Sequence, residues 1–106
     1  MSLSIALPNG FTNVTTAGTA VPLFSGSDPA RYLLGRATLL LTARKNKTTA
    51  NTGDVYVGNR EVQSQVLSPG QSLSFEVHPG EKLDLSQIYI DAATNGDGVS
   101  WLIKSV

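Results

Sequence analysis

The chain offers few groups for chemistry, and most of them sit among turn residues. His78 is the single histidine. It precedes Pro79 and Gly80, with Glu76 and Glu81 near it in sequence. A histidine works as a general acid or base only when a carboxylate or hydroxyl nucleophile is held against it. Nearness along the chain does not supply that, so His78 is expected in an exposed turn. Asp91, Asn95 and Asp97 carry oxygens of the kind calcium takes. They lack the intermediate ligand positions and the closing glutamate of a calcium loop. A turn accounts for the same residues, because Asn95-Gly96 and Asp97-Gly98 tolerate positive φ. Arg44, Lys45 and Lys47 form a small basic cluster that could touch a partner carboxylate or nucleic acid. Three charges at a strand end are more simply a solvated loop. There is no cysteine, which removes a disulfide framework, a thiolate zinc site and a cysteine nucleophile. No catalytic residue, metal ligand or cofactor is assigned, and the chain is not expected to be an enzyme.

Length and composition narrow the class. The chain has 106 residues, enough for one domain. Eight Lys and Arg balance eight Asp and Glu, and charged residues make up only 15% of the chain. That balance excludes a strongly basic nucleic-acid binder and a charge-driven disordered segment. Zero net charge also removes one defence against association, which favours a protein that lives in an assembly. No apolar run approaches the ~18 residues of a membrane span. The first residues, Met1-Ser2-Leu3-Ser4-Ile5, have no basic region of the signal-peptide kind.

The elements that must position these groups are strands. Residues 36–44 make the clearest one: Ala37, Leu39, Leu41 and Ala43 fall on one face, Thr38, Leu40 and Thr42 on the other. Val55-Tyr56-Val57 is a short strand, and residues 61–67 hold another. Leu73, Phe75 and Val77 alternate with Ser72, Ser74 and Glu76. Residues 87–92 put Ile88, Ile90 and Ala92 on one face, and Val99, Trp101 and Ile103 form the inner face of the last strand. Residues 11–24 contain one or two short edge strands, because Pro22 would remove a donor from a central one. Leu7-Pro8-Asn9-Gly10 is expected to be a turn, and residues 30–34 a helical turn or the start of a strand. Ser68-Pro69-Gly70-Gln71, His78-Pro79-Gly80-Glu81 and Thr94-Asn95-Gly96-Asp97-Gly98 are turns, the last with the strongest hairpin signal. No segment sustains a helical period. The expected fold is all-β: a single antiparallel β-sandwich over residues 1–106, jelly-roll-like, of about seven or eight strands. Its expected core is Leu39, Leu41, Val55, Val57, Leu73, Phe75, Ile88, Ile90, Val99, Trp101 and Ile103.

With those residues inward, Leu40, Tyr56, Tyr89 and Leu102 point outward. Tyrosine is a good surface β-former, but two outward leucines are harder to leave in water. If the four cluster they form an apolar patch, and such patches mark contacts. These four are the candidate interface residues.

Several stretches of the second half share an order with a known group. Asn51-Thr52-Gly53-Asp54-Val55-Tyr56-Val57-Gly58 is followed by Leu67-Ser68-Pro69-Gly70-Gln71-Ser72-Leu73. Next come Leu83-Asp84-Leu85-Ser86-Gln87-Ile88-Tyr89-Ile90-Asp91-Ala92-Ala93 and Asn95-Gly96-Asp97-Gly98-Val99-Ser100-Trp101-Leu102. Over residues 51–103 the chain resembles small proteins of tailed bacteriophages and prophages, uncharacterised or virion structural. The resemblance implies a virion component of head or tail, located in the virion or, before assembly, in the host cytoplasm. With the outward apolar residues it leads to the expectation of a homo-oligomer contacting other virion proteins, while the charge balance and the lack of a long apolar run argue against nucleic acid and membrane as partners. It carries over no catalytic residue. The alternative is a carbohydrate-binding module, in which Tyr32, Tyr56 or Tyr89 would stack on a glycan, an analogy at the level of fold.

Overall fold

The computed structural model describes residues 9–24, 32–34 and 37–105. Ten strands run through them: β1 (Asn9–Asn13), β2 (Val21–Pro22), β3 (Tyr32–Leu34), β4 (Ala37–Ala43), β5 (Val55–Gly58), β6 (Gln65–Leu67), β7 (Ser72–Val77), β8 (Lys82–Asp84), β9 (Tyr89–Ala92) and β10 (Gly98–Ser105). Alternation makes them. In β4 the inward Ala37, Leu39, Leu41 and Ala43 are buried, while Thr38 and Thr42 are half-buried and Leu40 is exposed. A period of two with one face in the core fixes the register, since a one-residue slip would carry the leucines to the wrong side. A single 3₁₀ turn at Leu85–Gln87, capped by the Asp84 carboxylate on Ser86 N–H, drops Leu85 into the core before β9 begins.

Eight strands form two four-stranded sheets. One runs in the order β1-β10-β4-β7 and the other β2-β9-β5-β6; β3 and β8 make a separate pair. Every pairing is antiparallel, and the pattern has a simple rule. β1 pairs with β10, β2 with β9, β3 with β8, β4 with β7 and β5 with β6. The chain is thus one long hairpin with its tip at residues 59–64. It is rolled so that β10 also meets β4, and β9 also meets β5. That is the jelly-roll topology expected from the sequence, with β3/β8 added to its eight sandwich strands.

The core lies between the sheets. Leu39, Leu41, Val55, Val57, Ile88, Ile90, Val99 and Ile103 are buried there as expected, joined by Val14, Leu23, Ala37, Ala43, Leu67, Val77, Leu85 and Ala92. Leu73, Phe75 and Trp101 are partly buried against this cluster. Full burial of each large aliphatic side chain contributes ~1.5–3 kcal/mol. The Trp101 ring meets Phe24 edge-on at 5.9 Å between centroids. Gly10 lies opposite Trp101 across β1 and β10, and a Cβ there would stand 3.0 Å from the indole. This explains why Asn9-Gly10, expected as a turn, begins a strand: the glycine gives the indole room.

The turns fall where expected, but they do a different job. Gly70, Gly80 and Gly96 all have φ near 90° (88°, 89° and 88°). The Asn95-Gly96 turn nevertheless makes no hairpin, because β9 and β10 belong to different sheets. It and the 68–71 turn carry the chain across the sandwich. Among the described residues, β5 and β6 are the only consecutive strands that pair with each other. Of residues 30–34, Tyr32–Leu34 is strand, and residues 30 and 31 lie outside the described part.

Candidate functional site

The outer face of the β1-β10-β4-β7 sheet is ordered in rows by the register. Leu102 and Leu40 are direct cross-strand partners, flanked by Asn9 on one side and Ser74 on the other. Phe11, on the edge strand, pairs with Ser100 and lies one row from Leu102. Phe11 is 48% exposed, Leu102 39% and Leu40 38%. Three large apolar side chains therefore adjoin at the water-facing surface. The next row holds Lys104, Thr38 and Glu76 in sequence across three strands. The far row holds Thr42 and Ser72, whose hydroxyls are 2.9 Å apart. Phe11 was not among the candidates named from sequence. Its signal was the register of β1, which a strand beginning at Asn9-Gly10 concealed.

The outer face of the other sheet carries the tyrosines. Tyr56 lies between Val66 and Asp91, and Tyr89 between Pro22 and Gly58. Both rings are half-buried, while Val66 is 54% exposed. One Asp91 carboxylate oxygen accepts the N–H of Gly18 at 2.9 Å and of Ala92 at 2.8 Å. The four candidate residues thus divide into two pairs on opposite surfaces of the sandwich: Leu40 with Leu102, and Tyr56 with Tyr89.

One end of the sandwich is tied by a buried carboxylate. Asp97 has no exposed surface. Its oxygens accept the N–H of Thr52 at 3.0 and 3.1 Å and the N–H of Gly53 at 2.8 Å, and Lys45 Nζ stands 3.6 Å away. Beside it the Asn51 side chain donates to the Gly98 carbonyl at 2.8 Å and accepts its N–H at 3.2 Å. Val14 donates to the Asp97 carbonyl and accepts from Gly96. Three connections that cross between the sheets (residues 14–20, 44–54 and 93–97) are held together this way. Gly98 permits it: a Cβ there would fall 2.2 Å from the Thr12 carbonyl oxygen and 2.6 Å from Asn13 Cα. Local spacing hides this role, since Asn51, Thr52 and Gly53 lie 44 to 47 residues from their partners, and Lys45 and Val14 lie farther from Asp97 still.

The remaining chemical candidates do not converge. Asp91 binds backbone N–H groups, Asn95 accepts from Ala17 N–H at 2.7 Å, and Asp97 points into the loop tie. Among the described residues no group of three His, Asp or Glu side chains is placed to hold a metal ion. His78 is exposed at the rim of a depression of about 180 Å³ that it shares with Thr38, Glu76 and Pro79. The Glu81 carboxylate accepts the His78 backbone N–H at 2.9 Å, so it shapes the turn. Arg44 donates to the carbonyls of Asn46 and Lys47, both at 2.8 Å, folding its own loop. With Lys45 beside Asp97, most of the basic cluster serves the loop. Tyr32 lies in β3, and its side chain is outside the described part. In comparison with protein-family models, curated proteins and solved structures, the chain finds no match in any of the three.

Proposed function

We propose that the chain is a structural subunit of a tailed-phage or prophage virion, in head or tail, that acts by contact with copies of itself and with other virion proteins. The observation that carries this reading is the contiguous Phe11, Leu102 and Leu40 surface on an otherwise polar sheet face. Burying it removes apolar area from water, the main driving force of association. The resemblance over residues 51–103 supplies the kind of assembly. The experiment is solution mass by light scattering after size exclusion, over a concentration series. A multiple of 11.2 kDa that grows in with concentration supports the reading. A monomer at every concentration removes self-association.

A second reading rests on the opposite surface. Tyr56 and Tyr89 lie on neighbouring strands in adjacent rows, with the Asp91 carboxylate beside Tyr56. Aromatic rings next to a carboxylate suit a sugar-stacking platform, and this is the carbohydrate-binding alternative. Binding to a glycan array that is lost in Tyr89→Ala would favour it over the virion role.

A further inference from the structure

We infer that the partner on the β1-β10-β4-β7 face is a second copy of this chain, docked face to face about a two-fold axis running along the strands near β4. The inference rests on the self-association proposed above and adds its geometry.

The register sets the terms. Lys104, Thr38 and Glu76 occupy one row on three adjacent strands, and Leu102, Leu40 and Ser74 occupy the next. Strands are ~4.8 Å apart, so Lys104 and Glu76 stand ~9.6 Å from each other with Thr38 midway. A two-fold axis in the plane of contact and parallel to β4 keeps rows together and exchanges the columns on either side. Lys104 of one copy then faces Glu76 of the other, twice by symmetry, while Leu40 meets its own counterpart. Moving the axis half a strand toward β10 places Leu40 opposite Leu102 and leaves Lys104 only ~4.8 Å to the side of Glu76, within reach of two long side chains. An axis across the strands instead sets Lys104 over the Ser100 row and pairs neither charge. The opposite charges thus select an axis direction along the strands, and of its two positions the one toward β10, which sets Leu40 against Leu102, also buries the leucines; both Lys104 and Glu76 are exposed.

The face is small. Four strands at ~4.8 Å by ~20 Å of strand give roughly 400 Å² of projected area per copy, ~800 Å² for the pair, under the ~1,000 Å² that a stable specific interface clears and in the range of a transient contact. The contact is therefore expected to be weak and to form with rising concentration.

The test uses Lys104→Glu, Glu76→Lys and the double swap, with dimerisation followed by sedimentation equilibrium at low and moderate salt. Each single reversal replaces two attractions by two repulsions and is expected to weaken the dimer roughly tenfold or more at low salt. The double swap is expected to restore it. Unchanged thermal melts confirm that the exposed substitutions leave the fold alone. Single variants that dimerise like the unaltered protein, or a double swap that fails to recover, overturn this geometry while self-association stands. An unaltered protein that stays monomeric overturns both.

Discussion

Asp97→Ala is the most informative single substitution. The carboxylate is fully buried and takes hydrogen bonds from Thr52 and Gly53 N–H. A hydrogen bond to a charged group contributes ~1.5–3 kcal/mol net. Two of them at the lower figure come to about 3 kcal/mol. Lys45 adds less than ~1 kcal/mol, because its side chain is 25% exposed and water screens the pair. A loss of about 3 kcal/mol is a large share of the ~5–15 kcal/mol that holds a domain folded. For a chain of this length it corresponds to a fall in Tm of roughly 13 °C. The assay is urea unfolding followed by Trp101 fluorescence, with a thermal melt beside it. The midpoint should drop while the slope stays constant. Asp97→Asn, which keeps one acceptor oxygen, should lose about half as much. A midpoint within ~0.5 kcal/mol of the unaltered protein, the usual range for surface changes, would refute the reasoning. It would mean that solvent replaces the carboxylate at no cost and that the three connections hold without it.

Gly98→Ala should be severe, at ~3 kcal/mol or more, since the new methyl meets β1 backbone at the Thr12 carbonyl and Asn13 Cα, which cannot swing away as the nearby Asn13 side chain can; a normal urea midpoint would show that β1 can retreat freely. Trp101→Ala should cost roughly 3–5 kcal/mol through the cavity left beside Phe24, and an unchanged midpoint would place the indole outside the core. Leu40→Glu or Leu102→Glu should abolish concentration-dependent mass while preserving the melt, and a collapsed melt would make these leucines core residues.

What was legible beforehand follows a physical line. Strands with one face in the core announce themselves by alternation, and β4, β7 and β10 do so because each repeats its pattern over six residues or more. β2 and β3, of two and three residues, are too short to show a period. Glycine signals placed turns correctly at Gly70, Gly80 and Gly96, with the expected positive φ at Gly96 but not at Gly98, and were silent about where the chain goes next. A turn between sheets and a hairpin turn use the same residues. Gly10 and Gly98 were read as turn formers, yet their reason is close approach, to an indole and to a neighbouring strand. The candidate site was half legible for the same cause. Leu40 and Leu102 could be named from alternation, but their pairing, the distance to the tyrosines and the arrival of Phe11 all depend on register between strands far apart in sequence. Asp97 was hidden by the same distance.

The rolled hairpin also has a history in time. β10 lies between β1 and β4, so the sheet built around it has no centre until residues 98–105 are available. A ribosome adding ~5–20 residues per second would extend the chain for seconds with β1 and β4 lacking their shared neighbour. Among the described residues, the one strand pair joined directly by a short loop is β5 with β6, at the tip. From there outward the pairs β4–β7, β3–β8, β2–β9 and β1–β10 each span a longer loop, and pairing across long loops is slow. The last strand emerges as the wedge that turns two open edges into one sheet. Nascent chains that meet one another before that moment are the ones most exposed to exchanging strands.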